Sequence, residues 1–130
     1  MALNRTYLVP RVLIGLMGLI MAAATLPAYG TPTSNPGMIN LVEPAVSLGE
    51  TAGAFLGRQM TVILIALLGA VTGLRHIVMM GGFGMMVMNG HDAVFMGLFG
   101  GADFRVAAVA GLVFALLGAL SIVLVWRSAP

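Results

Sequence analysis

Residues 106–126 read VAAVAGLVFALLGALSIVLVW, 21 residues without a single charge. A helix of that length rises about 30 Å, which matches the hydrocarbon core of a bilayer. Ala107, Gly111, Ala115 and Ala119 recur within it at four-residue steps. Small residues at that spacing permit close helix approach where lipid tails remove any hydrophobic drive to associate. This stretch makes the chain an integral membrane protein.

The composition agrees. Hydrophobic residues make up 60% of the 130 residues and charged residues 8%, whereas soluble domains carry about 25% charge. With a mean hydropathy of +1.07, a soluble fold of this size would have more apolar surface than it could bury. Soluble enzyme and disordered regulator are thereby excluded. A nucleic-acid partner is excluded too, despite a net charge of +2. The six basic residues are isolated arginines at positions 5, 11, 58, 75, 105 and 127, and phosphate binding needs clustered charge. Cysteine is absent, so no disulfide framework or thiolate metal site exists.

Moving back along the chain, residues 77–98 (IVMMGGFGMMVMNGHDAVFMGL), 52–74 (AGAFLGRQMTVILIALLGAVTGL) and 12–29 give three further spans. Residues 12–26, with Ala28-Tyr29-Gly30 after them, also fit a secretory signal peptide. We read them as a retained span. Further notches are expected at Gly15, Gly18 and Ala22, at Gly53 with Gly57, and at Gly69 with Gly73. The one long connection, residues 30–51, begins as a turn-rich loop, GTPTSNPG. It continues through Glu43, Pro44 and Glu50 as either a short interfacial helix broken at Pro44 or an irregular loop. The other connections are short. The expected fold is all-α, a single membrane domain over residues 1–130 forming an integral four-helix up-down bundle.

Arginine placement orients it. With both termini cytoplasmic, Arg5, Arg11, Arg75 and Arg127 lie inside, and Arg58 and Arg105 lie outside with Glu43, Glu50 and Asp103. This orientation fits a multi-pass membrane protein, with loop 30–51 extracytoplasmic.

Charges inside a bilayer are costly and tend to be paired. Arg58 lies 17 residues before Arg75, and Asp92 lies 16 after His76, on antiparallel neighbours. At 1.5 Å per residue these distances are about 26 and about 24 Å, so the two side chains share a level. An Arg58–Asp92 ion pair beside His91 is the sharpest site the sequence offers. A structural clasp, a protonation switch and separate snorkelling to the headgroups all remain open for it. His76 and His91 are roughly 22 Å apart along one helix and cannot share a metal, though either alone could hold a pigment.

Eleven methionines are unusual, and Met79, Met80, Met85, Met86 and Met88 crowd one span beside Gly81, Gly82 and Gly84. Thioethers bind soft metals such as Cu(I), and methionine also fills irregular gaps beside glycine. These five therefore mark a soft-metal or partner contact, on a pliable helix that could border a lipid- or quinone-sized crevice. Enzyme signatures are missing: the chain has no lysine, no phosphate loop, no His-Glu-x-x-His and no nucleophile elbow.

Several features in order carry a family likeness. A first span precedes a loop with Pro44 and Leu48-Gly49, Gly57-Arg58 opens the second span, Asn89-Gly90-His91-Asp92-Ala93 closes the third, and a small-residue-rich span ends the chain. The layout resembles the DoxX-like four-helix proteins of bacterial inner membranes and their relatives. That resemblance implies the four-helix membrane fold and, for some members, an association with quinone-linked oxidation.

The functional expectation is a non-catalytic accessory or structural subunit packing against a larger respiratory or photosynthetic complex, with membrane lipids and other membrane-protein subunits as partners. The alternatives are a small transporter or channel with its polar site at Arg58, His91 and Asp92, or a quinone- or pigment-binding redox-associated protein. No cofactor and no metal is expected for the leading reading.

Overall fold

The computed structural model describes residues 7–39 and 51–128. Expectations for Arg5, Glu43, Pro44, Leu48, Gly49 and Glu50 lie outside the described residues. Four α-helices follow in order: α1 Leu8–Thr25, α2 Thr51–Thr72, α3 Arg75–Phe99 and α4 Arg105–Arg127. They run up and down, each against its neighbour in the chain, and α4 closes the ring by returning against α1.

Among the described residues three segments are long and apolar enough to cross a membrane: Leu8–Tyr29, Thr51–Thr72 and Ala102–Arg127. Helix α3 matches them in length but not in hydropathy, so the fourth expected span is not among them. Asn89, His91 and Asp92, together with the glycines, dilute its apolar residues. Large side chains are exposed around the bundle, among them Val71 at 77%, Phe99 at 76% and Val106 at 73%. Such faces are suited to lipid tails and not to water.

Helix α1 starts earlier than residue 12 because Pro10 falls in its first turn, where a missing N–H leaves no bond unmade. It ends at Thr25, and Pro27 brings no N–H to continue the ladder. Three short 3₁₀ turns follow, Pro27–Tyr29, Pro32–Ser34 and Pro36–Met38, each beginning on proline. Helix α2 stops where Gly73 takes φ +66° and donates to the Gly69 carbonyl. That left-handed conformation is the usual reason for glycine just past a helix end.

The core follows helical spacing. Helix α1 buries Ile14, Met17, Met21 and Thr25, and α3 buries Val78, Gly82, Met85 and Met88. The tightest seam joins α3 and α4. A Cβ on Gly118 would lie 2.6 Å from the Gly82 carbonyl oxygen, and one on Gly111 would lie 2.8 Å from that of Asn89. The buried stripe of α4 is Gly111, Ala115, Gly118, Ser121 and Val125, while Ala107 and Ala119 are only half-buried. Strict four-residue steps drift about 40° around a helix at each step, so a stripe that stays on one face must mix steps of three and four. Gly81 packs on Ala66 and Gly69 on the Ile77 backbone, but Gly57 meets nothing within 4 Å and is no notch.

Candidate functional site: a polar cluster and cavity at one end of the bundle

Arg58 of α2 and Asp92 of α3 each lie seven residues from a helix end, the N-terminus of α2 and the C-terminus of α3. Both are thus about 10 Å inside the same end of the bundle. One guanidinium nitrogen, Nη2, donates to both carboxylate oxygens, at 3.0 Å to Oδ1 and 2.9 Å to Oδ2. A two-nitrogen fork is the stronger arrangement, and it is not used here. The guanidinium also lies 5.1 Å from the centre of the Phe55 ring, within cation–π reach. His91 also meets the carboxylate, with Nδ1 3.2 Å from Oδ1. Its ring stacks on Phe95 at 4.4 Å, and Phe95 in turn meets Phe99 at 5.8 Å. Exposure differs sharply across the trio: 13% for the Asp92 side chain, 41% for Arg58 and 54% for His91.

Behind this cluster lies a cavity of about 170 Å³, bounded by all four helices and by the turn at Pro36. Its wall is mostly apolar, with Met21, Phe55, Met96 and Phe114 among its residues. The polar exceptions are Thr25, Asn35, Gln59, Asn89 and Asp92. Three of them form a small network. Thr25 donates its hydroxyl to Gln59 Oε1 at 2.8 Å, and Asn35 Nδ2 donates to the same oxygen at 3.2 Å and to the Ala24 carbonyl at 3.3 Å. Asn35 Oδ1 accepts from the Gly37 N–H at 2.9 Å, closing the turn. The loop after α1 is thereby folded back over the bundle end.

Asn89 is buried on the opposite wall. Its Nδ2 donates to the Met85 carbonyl at 2.9 Å and lies near the sulfurs of Met21 and Met85 at 3.7 and 3.8 Å. The donor to a backbone carbonyl fixes which end of the amide is nitrogen.

The structure therefore brings Arg58, His91 and Asp92 together, but it disperses the methionines. Met85 and Met88 are buried in the core, Met79 and Met86 are half-buried, and Met80 is 56% exposed. The five therefore do not lie together on one face of α3. Among the described residues no three of His, Cys, Asp and Glu converge as metal ligands. His76 is exposed at the opposite end of α3 from His91.

Thr25, Asn35 and Gln59 carry no functional signal in the sequence. Asn35-Pro36-Gly37 carries a turn signature, but nothing in the sequence says that the turn reaches Gln59. Arg11, in the sequence only a flanking charge, is a second case. It lies 8% exposed at the other end of the bundle, where Nε and Nη2 donate to the Ala70 and Val71 carbonyls at 2.9 and 3.1 Å. Comparison with protein-family models, curated proteins and solved structures gives no match.

Proposed function

We propose that this chain is a non-catalytic accessory subunit of a larger respiratory or photosynthetic membrane complex. In this reading all four helices cross the bacterial inner membrane and both termini face the cytoplasm. The observation that carries it is the exposure of Arg58 and His91, 41% and 54%, at a level about 10 Å inside the bundle end. Lipid tails offer these groups no hydrogen bonds, and a guanidinium has five N–H donors to place. A neighbouring subunit that presents a carboxylate, carbonyl or hydroxyl would satisfy them. Helix α3 is tied to α2 and α4 by short links, residues 73–74 and 100–104, so two crossing neighbours carry it across with them. Arg11, Arg75 and Arg127 gather at one end, which supports a cytoplasmic placement of the termini.

The test is photo-crosslinking in native membranes. A photoreactive residue at Phe95, beside His91, is expected to capture other membrane subunits, and one at Leu116 on the lipid-facing side of α4 only lipid. The proposal is overturned if both positions capture lipid alone and the extracted protein travels by itself in native mass spectrometry. The cavity favours a second reading, a carrier or binding protein for a small molecule, in which Asp92→Asn would abolish uptake into reconstituted vesicles.

A further inference from the structure

The cavity wall contains two amide groups whose hydrogen-bonding capacity is half used. Asn89 is 9% exposed, and its Nδ2 is committed to the Met85 carbonyl. Its Oδ1 accepts from no described residue. Gln59 shows the complement: Oε1 accepts from both Thr25 and Asn35, and Nε2 donates to no described residue. The two stand at one level, because Gly81 faces Ala66 and Gly84 faces Val62, a register that sets Asn89 opposite the turn of α2 holding Gln59. An otherwise apolar chamber thus offers one acceptor and one donor.

We propose that this cavity binds a small, neutral, membrane-soluble molecule whose polar end is a hydroxyl, such as an alkylphenol. The inference is independent of whether a subunit covers the outer face of α2 and α3. A hydroxyl donates one hydrogen bond and accepts others, which matches Asn89 Oδ1 and Gln59 Nε2 together. Asn89 Oδ1 is reached from the cavity, and a ligand that covers it without donating to it would leave it unmatched at a cost of about 1–3 kcal/mol, so the site discriminates for the group that completes it. Charge argues for neutrality. The Asp92 carboxylate on the wall is already matched by Arg58, so a cation would have to displace the guanidinium. An anion would meet that carboxylate, and no cationic side chain lines the cavity to receive it. Size argues for one ring, because a dry cavity of about 150 Å³ accommodates benzene. The entrance points to the membrane as the source. Ile20 of α1 and Ala110 of α4 border the cavity and are exposed, along the sparsest seam of the ring. A molecule entering there from the bilayer reaches α2 and α3 with its polar end first.

The experiment uses the full chain in phosphatidylcholine nanodiscs, with 4-ethylphenol and ethylbenzene as matched probes. Binding is read by ligand-observed NMR and corrected for partition into the disc. The expected result is at least a tenfold preference for the phenol, reduced to under threefold in Asn89→Leu, which keeps the volume and removes the acceptor. Equal affinity for the two probes in the wild type, or no saturable binding of either, overturns the proposal. So does a preference that survives Asn89→Leu. If that variant does not fold, the wild-type contrast between the probes decides on its own.

Discussion

Two arginines near opposite ends of the bundle are neutralised in opposite ways. Arg11 is 8% exposed, and its guanidinium meets the Ala70 and Val71 carbonyls at the C-terminus of α2. Those carbonyls have no partner within their own helix, and the helix dipole places partial negative charge there. Among the described residues no carboxylate forms an ion pair with Arg11. Arg58 is 41% exposed and shares one nitrogen between the two oxygens of Asp92. The first arginine is part of how a helix ends, and the second is one member of an exchangeable pair. The difference lies in the acceptor: backbone carbonyls at a helix end need a donor whatever the side chains do, whereas a carboxylate can be removed along with its cation.

Arg11→Met breaks the comparison most directly. It leaves two inward-facing carbonyls without their charged donor and removes a guanidinium that lies over Gly73, where a Cβ would come within 2.8 Å of Nη1. The expected loss is about 3 kcal/mol, measured by thermal unfolding in micelles. No second substitution elsewhere should restore it. A loss below half a kcal/mol would mean that Arg11 acts only as a topological charge.

The Arg58–Asp92 pair should behave differently in a double-mutant cycle. Arg58→Leu strands a carboxylate that is only 13% exposed, and Asp92→Leu strands an arginine with more access to its surroundings. The first should cost about 2 kcal/mol and the second about 1, with the double variant less destabilised than Arg58→Leu alone. Strict additivity of the two single losses would show that the pair is not coupled. The smallest effect is expected at His91, whose ring is largely exposed. His91→Phe retains the stacking on Phe95 and should shift stability by less than about 0.5 kcal/mol. If crosslinking from Phe95 vanished in that variant, His91 would be a contact with the neighbouring subunit.

Much of the architecture is legible in the sequence because the bilayer leaves few choices. The uncharged stretch at residues 106–126 fixes one span, and short links then force neighbours to run antiparallel. The same constraint makes the level of Arg58 and Asp92 legible, since rise per residue converts sequence distance into depth. What escapes is lateral. Nothing in the periodicity separates Gly118, buried against Gly82, from Ala119 beside it, because both lie in a run of small and apolar residues. Arg11 reads as a flanking basic residue like Arg75, and only packing shows that α1 places it under the end of α2. The link from Asn35 to Gln59 is equally hidden, because a loop without periodicity carries no signal of where it folds back.

The α3–α4 seam has a consequence for biogenesis. Helix α3 is the least apolar of the four, and its closest backbone contacts, Gly82 with Gly118 and Asn89 with Gly111, are to the helix synthesised after it. During translation α3 would therefore enter the insertion machinery before the surface that best accommodates its polar residues exists. Its stable residence in the bilayer should wait for α4, so that the two insert as a hairpin. Truncation before α4 would then leave α3 prone to slip out of the membrane and be degraded, while α1 and α2 stay anchored.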